Sequence, residues 1–355
     1  MTGAPSGLPG GIGWGGATPA APEPDGPRGP RGGMFATTEG SRADAFGRVE
    51  WGLLLGVSTI WGSSYFWIEL ALGSLAPAVV SVARISLGLL AVLLVPASRR
   101  PISREDRVRV VALGLGWIAL PMLTFPLAQS YGVASSLVGM LNGAMPLLAT
   151  LFAAFLLRRP PGRRQLSGVL VGLVGLVVIA GPELGRADRT ALGVAMIVGT
   201  MSVNALFASV LVPLQQRYGA LPVLRWALAT ALVVALPFGV AGLPDSAPAV
   251  VPLLALVPLG FGSTGLGFVA WATLVGRAGA TRGAVVSYLV PVVAIALGVG
   301  VLGEPLLATQ VAGMVLVLAG AWLVTGREPR RIDRTSAPFT PPRTAPGPGE
   351  GARLP

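Results

Sequence analysis

The chain has 355 residues, of which 53% are hydrophobic and only 12% charged, whereas soluble domains carry roughly 25% charged residues. It contains no Cys, His or Lys, so all 26 basic residues are arginine; this excludes disulfides, His or Cys metal sites, Ser-His and Cys-His nucleophiles and lysine Schiff bases. The formal charge of +11 sits mainly on arginines in short loops and tails, not along a basic face, and so points to membrane topology and not to nucleic acid.

Residues 1–48 are rich in Gly, Pro and Ala and too poor in large apolar groups to repay the entropy of ordering, so a disordered cytoplasmic tail is expected there. They lack the short apolar core of a signal peptide behind a basic start, so the first span itself is expected to direct insertion. Met34 is the expected start of translation, residues 1–33 having the look of GC-rich leader; a mass measurement of the native amino terminus checks this.

A helix needs about 20 mainly apolar residues to cross the hydrocarbon core. Ten runs of that kind appear, bounded by charge, Pro or Gly. The first five are Trp51 to Leu72, Ala76 to Val95, Val110 to Ala128, Ala134 to Leu157 and the short Leu166 to Ala180. The second five are Ala191 to Leu214, Leu221 to Val240, Val250 to Val275, Gly283 to Leu302 and Leu306 to Val324. Residues 327–355, rich in Arg, Pro and Thr, form a second expected disordered tail.

A long segment recurs 145 positions later without gaps. Pro146, Ala149, Leu157, Pro160, Gln165, Gly168, Leu173, Gly175 and Gly181 return as Pro291, Ala294, Leu302, Pro305, Gln310, Gly313, Leu318, Gly320 and Gly326, while Arg159 is replaced by Glu304. Prolines and a glutamine held in register inside apolar runs mark a duplication. Earlier spans repeat more weakly: Pro77 matches Pro222 at the same offset, and Gly52, Ser63 and Phe66 meet Gly193, Asn204 and Phe207 at 141.

Cytoplasmic segments carry the excess of basic residues. One side holds Arg28, Arg31, Arg42 and Arg48, then Arg99, Arg100, Arg104, Arg107 and Arg109, then Arg158, Arg159, Arg163 and Arg164, then Arg217, Arg277, Arg282 and the six arginines after residue 326. The other side holds only Arg186 and Arg189. The expected architecture is therefore an all-α membrane protein of ten transmembrane helices in the plasma (inner) membrane, both termini cytoplasmic. Five spans per copy is an odd number, so the repeats, residues 49–182 and 187–326, enter the membrane inverted, a construction used by secondary transporters. The Arg159 and Glu304 exchange fits, since one position emerges inside and the other outside.

Several polar residues lie within the spans. Trp61 and Ser64 sit in the first, and Asn204 in its counterpart; a central lining and close helix packing both account for them. Trp61 is mid-span, away from the interfacial belt. Arg84 lies eight residues into the second span, where insertion scales put the cost of a central Arg at roughly 2.5 to 3.5 kcal/mol. It reads as an anchor for a carboxylate or phosphate, as a gate pairing with Glu69 or Glu304, or as a structural arginine bonded to helix-end carbonyls; Arg225, nearer an end, snorkels. Pro146 and Pro291 lack an N–H and free the carbonyls of Asn142 and Ser287, polar residues one turn away in both copies. Such helix breaks suit a substrate pocket or a pair of packed kinks. Tyr288 and Trp271 extend the aromatic lining or pack against core and lipid. Glu69, Glu183 and Glu304 fall near the outer face and Glu50 at the inner, leaving no carboxylate relay in mid-membrane. No enzyme, metal or cofactor is expected.

Trp61-Gly62, Arg84, the two proline-centred segments, and the order Tyr288 to Pro291, Gly303-Glu304-Pro305, Gly313 and Gly320 together resemble the drug/metabolite transporter superfamily, in its EamA-type branch. The resemblance covers about residues 51–326. It departs from the family at Arg158-Arg159, where a Glu commonly stands. It implies export of a small metabolite, often an amino acid or a toxic analogue, by alternating access. The substrate pocket is expected at Trp61, Ser64, Arg84, Asn142, Asn204, Trp271, Ser287 and Tyr288, with Pro146 and Pro291 as hinges and Glu69 and Glu304 as gates. The partners expected are a small molecule and the bilayer, not nucleic acid; a passive channel or a non-transporting scaffold or sensor is the alternative.

Overall fold

A computed structural model of the protein describes residues 47–156, 162–185, 188–278, 283 and 285–325. The expectations for the tails, for Arg158-Arg159 and for Arg186 lie outside these residues. Among the described residues all regular structure is helical. The first span divides into α1 (Arg48–Gly62) and α2 (Ser64–Leu72), and the second is α3 (Pro77–Leu93). Two short 3₁₀ turns lead to α4 (Arg107–Leu113), which widens into a π-helical stretch, Gly114–Ala119, before α5 (Leu120–Ser130). The fourth span is α6 (Ser135–Asn142) and α7 (Met145–Leu156), and the fifth is α8 (Arg163–Leu184). Then follow α9 (Arg189–Tyr218), α10 (Ala220–Ala241), and α11 (Val250–Leu256) with a π-helical stretch, Val257–Leu266, leading to α12 (Gly267–Ala278). The last two described helices are α13 (Val286–Gly300) and α14 (Ala308–Thr325).

Among the described residues six stretches are long and apolar enough to cross a membrane, and three shorter apolar helices, Pro77–Leu93, Val286–Gly300 and Ala308–Val324, accompany them. Large apolar side chains on their outward faces, among them Val177, Val233, Phe155 and Trp322, are exposed, as suits contact with lipid chains. The fifth span, expected to be short, is a full 22-residue helix. Polar Arg163 to Gln165 extend it at one end and Gly181 to Leu184 at the other, a continuation that hydropathy does not register.

Two spans break, each for a local reason. Between α1 and α2, the Ser63 and Ser64 hydroxyls donate to the carbonyls of Ile60 and Trp61 at 3.2 and 2.6 Å, competing with the helix ladder. Gly62 there lies so close to α13 that a Cβ would stand 2.8 Å from the Val290 carbonyl oxygen. Between α6 and α7, the amides of Gly143 and Ala144 turn to i−3 carbonyls at 3.1 and 3.0 Å. Pro146 then occupies the first turn of α7, where its missing N–H costs nothing. Pro291, its repeat partner, lies inside α13.

The duplication is visible in the backbone as well as in the sequence. Shifting the first π-helical stretch by 145 gives residues 259–264, inside the second. Such wide turns are rare and frequent at functional sites. Helices α8 and α14 carry a second sign. A Cβ on Gly168 would stand 2.7 Å from the Gly320 carbonyl oxygen, and one on Gly175 2.6 Å from that of Gly313. The contacts run antiparallel, and a shift of 145 turns Gly168 into Gly313 and Gly175 into Gly320. Each contact is therefore the other with the repeats exchanged, the behaviour of a two-fold axis between the helices.

Contacts between loops divide the connections into two groups. Arg277, ending α12, donates to Glu50 at the start of α1 through Nε and Nη2 at 2.9 and 2.8 Å. Asp106, before α4, accepts from Arg217 and Tyr218 at the end of α9 at 2.6 and 2.7 Å. Elsewhere the Ala247 amide donates to the Ser74 carbonyl at 2.8 Å, the Thr190 hydroxyl to the Tyr131 carbonyl at 3.1 Å, and the Ser135 amide to the Glu304 carboxylate at 2.7 Å. Every one joins segments that the arginine distribution assigns to one side.

Candidate functional site

The eighth span's widened turn organises the site. Its Ser263 carbonyl accepts from the Trp61 indole N–H at 3.1 Å, and the Ser263 hydroxyl donates to the Ile60 carbonyl at 2.9 Å. Neighbouring Thr264 accepts from Arg84 Nε at 2.8 Å. One π-helical stretch thus clamps α1 through one residue and α3 through the next. Gly260 and Gly88 allow this approach: a Cβ on Gly260 would lie 3.0 Å from the Arg84 carbonyl oxygen, and one on Gly88 2.7 Å from Thr264 Cβ.

Aromatic rings line the same region. Trp61 stands 5.2 Å from Phe268 edge to face and 5.9 Å from Trp271, and Phe268 meets Trp117 of the first π-helical stretch at 5.2 Å. Trp61 and Trp271 are thus brought together as the sequence suggests. Phe268 and Trp117, which join them, carry no polar signal that marks them out.

Arg84 is only 6% exposed at the eighth residue of α3. Beyond the Thr264 bond, its Nη1 is buried with no hydrogen-bond partner among the described residues. The pairing with Glu69 or Glu304 considered for a gate is not the one present: a hydroxyl, not a carboxylate, receives this guanidinium. Tyr65, one turn beyond Trp61, is buried and its hydroxyl oxygen accepts from Asn142 Nδ2 at 2.6 Å. Gln129, also buried, donates through Nε2 to the Tyr65 carbonyl at 3.1 Å, and its Oε1 has no partner among the described residues. Asn142 therefore sits where the α6 to α7 break meets the first span.

The other residues anticipated from sequence have varied placements. Ser64 spends its hydroxyl on the Trp61 carbonyl, across the break between α1 and α2. Asn204 on α9 has a buried Oδ1 with no partner among the described residues. Ser287 is half-buried on α13. The Tyr288 hydroxyl donates to the Ala321 carbonyl at 2.9 Å, fastening α13 to α14. Pro291 Cγ lies 3.0 Å from where a Cβ on Gly143 would be, so the break in one repeat rests on the proline of the other. Glu69 is half-buried on α2 and within electrostatic reach of Glu304.

Glu304 has the most defined role. Helix α13 ends with the amides of Val301 and Leu302 both directed to the Leu297 carbonyl, at 2.9 and 3.2 Å. Gly303 follows at φ +70°, a left-handed conformation that favours glycine. The turn carries the Glu304 carboxylate to the start of α6, where its two oxygens accept from the amides of Ser135 and Ser136 at 2.7 and 2.8 Å. The residue before α6 is Ala134, which has no capping group. A carboxylate from the other repeat supplies the cap, at the positive end of the helix dipole. Gly298 leaves room for it, since a Cβ there would overlap the carboxylate. The sequence suggests Glu304 as a gate near the outer face; its carboxylate caps a helix of the other repeat.

Asp106 goes unnoticed in the sequence because it stands among arginines in a short loop. It is 2% exposed, and Tyr218, its partner, also bonds Ser103 at 2.6 Å. Only one residue, Gly219 at φ +84°, joins α9 to α10, so the end of α9 is held firmly beside this aspartate. Among the described residues no cluster of His, Cys, Asp or Glu could hold a metal.

Known proteins agree with this architecture. A solved crystal structure, 20% identical, superposes with a TM-score of 0.57 over 78% of this chain and 96% of its own, and shares the fold. An uncharacterized transporter of Archaeoglobus fulgidus is 25% identical over 281 residues, 78% of this chain and 98% of the relative. A protein of Salmonella typhimurium named a probable amino-acid metabolite efflux pump is 26% identical over 313 residues, 83% and 99% of the two chains. A probable terminal-alkyne amino-acid exporter of Streptantibioticus cattleyicolor is 27% identical over 303 residues, 82% and 98%. These relatives are transporters and not enzymes by name. The EamA-like transporter family model matches residues 51–181 and again 190–326. The chain is a multi-pass membrane protein that belongs to the EamA-like transporter family.

Proposed function

We propose that this transporter exports a small amino-acid-like or drug-like metabolite across the plasma membrane by alternating access. Its ten spans form two inverted five-helix repeats, residues 49–182 and 187–326, with both termini in the cytoplasm. The observation that carries this reading is the exchange of Gly168–Gly320 for Gly175–Gly313 across antiparallel α8 and α14, the packing expected where inverted repeats meet. The sorting of loop contacts into two sides supports it further.

The substrate pocket is formed by Trp61, Ser64, Arg84, Asn142, Asn204, Trp271, Ser287 and Tyr288, with Pro146 and Pro291 at its hinges. Its Trp61 wall is clamped by the eighth span, and Tyr65, one turn beyond, meets Asn142 at the break between α6 and α7. Glu69 and Glu304 stand at the outer gate. The names of the Salmonella and Streptantibioticus relatives favour an amino-acid-like solute. Liposomes holding the purified full chain, preloaded with unlabelled solute, should accumulate the labelled solute above equilibrium and saturate. Uptake unaffected by the preload would indicate a channel. No movement of any member of a broad metabolite panel would indicate a scaffold or sensor.

A further inference from the structure

We infer that Arg84 and Tyr65 together form a binding site for the carboxylate group of the transported solute. This rests on the transporter reading above and narrows it to a substrate class.

Arginine presents five N–H donors in a rigid fork matched to two oxygens. At Arg84 one donor reaches Thr264, and Thr264 in turn bonds the Leu259 carbonyl of its own helix at 3.3 Å. Nη1 is buried and bonded to nothing described. An arginine kept in mid-membrane for structural reasons satisfies its fork with helix-end carbonyls or an acid. Here the Nε bond fixes the plane of the guanidinium and leaves the Nη1 side unspent. Among the described residues no carboxylate pairs with it, so the site holds an unbalanced positive charge.

Tyr65 supplies the second donor. Its oxygen already accepts from Asn142 Nδ2, so its own O–H is left to donate, and among the described residues it donates to none. Gln129 pins the Tyr65 backbone through the carbonyl oxygen, and the ring packs 6.0 Å from Phe125 edge to face. Tyr65 and Arg84 converge on one turn of the eighth span: Tyr65 lies one turn beyond Trp61, whose indole bonds Ser263, and Arg84 bonds the adjacent Thr264. Two unspent donors, one cationic and one phenolic, suit the two oxygens of a carboxylate. A phosphate, with three oxygens and about two charges, would be undersupplied. Beside them, Trp61 with Trp271 and Phe268 offers an apolar wall for a side chain.

The test uses proteoliposomes of the full chain, preloaded separately with each of a panel of amino acids, with their methyl esters, with the matching decarboxylated amines and with O-phosphoserine; the external tracer is the same compound, labelled. At least one acid should exchange ten or more times faster than its ester and amine. Arg84→Gln should abolish that preference, Arg84→Lys should keep part of it, and Tyr65→Phe should reduce it three- to tenfold. Equal exchange of acids and esters by the unaltered protein would overturn the inference while leaving the transport reading intact. So would preferred exchange of O-phosphoserine, or an acid-to-ester ratio unchanged in a monodisperse Arg84→Gln protein. Exchange of no compound at all would overturn both. The comparison of acid with ester needs no variant, so a misfolded variant does not rescue the idea.

Discussion

At the scale of single residues, Glu304 shows how a side chain can be read from what it replaces. Helix α6 begins after Ala134, which cannot cap it, and its first amides are met by a carboxylate from the far repeat. Glu304→Ala removes that cap and should cost about 1 to 2 kcal/mol, measured as a lower midpoint in a detergent thermal unfolding series. Glu304→Gln keeps one acceptor oxygen and should recover part of the loss. An unchanged midpoint in Glu304→Ala would mean that the cap contributes nothing. The Gly303-Glu304-Pro305 sequence is legible as a helix stop, but its target is not. Nothing in local sequence states which amides, 168 positions earlier, a carboxylate will meet. Gln129 escapes notice for the same reason: its role depends on Tyr65, which the chain places elsewhere.

Among elements, the pairing of α8 with α14 is the tightest contact and the most exposed to substitution. Glycines bring backbone against backbone there, because apolar lipid gives two apolar helices little reason to associate beyond close packing. Gly175→Val and Gly320→Val should each cost at least 1 to 3 kcal/mol, the usual range for overpacking, read as loss of monodisperse protein on gel filtration. Gly181→Ala on α8, where a Cβ meets nothing within 4 Å, is the control and should behave as the parent does. These glycines were visible beforehand as repeats at 145, and the spans themselves follow from hydropathy alone. Pro146 announces a break near Gly143, whereas the break at Ser63 and the two π-helical stretches are not legible in this way. An apolar run records how much chain lies in the membrane, whereas a widened or broken turn is decided by hydroxyls and neighbours.

For the whole molecule, orientation is the quantity that connects sequence to mechanism. In this naturally Cys-free chain, Gly162→Cys should react with an impermeant maleimide only from the cytoplasm, and Ala187→Cys only from outside. The reverse pattern would sink the inverted topology. Both sites flank α8, so the pair reports a single crossing of the membrane.

The duplication is broken at its most highly charged position. Shifting Arg84 by 145 reaches Ala229, just as Glu304 shifts back to Arg159. If the halves were identical, exchanging their conformations would convert the outward-facing form into an inward-facing form of equal energy. In the proposed carrier the mismatched pairs remove that degeneracy, so the empty form should have a preferred resting side. In the proposed pocket the Arg84 guanidinium has no charged counterpart at the matched position of the other repeat, so each solute should enter in one orientation.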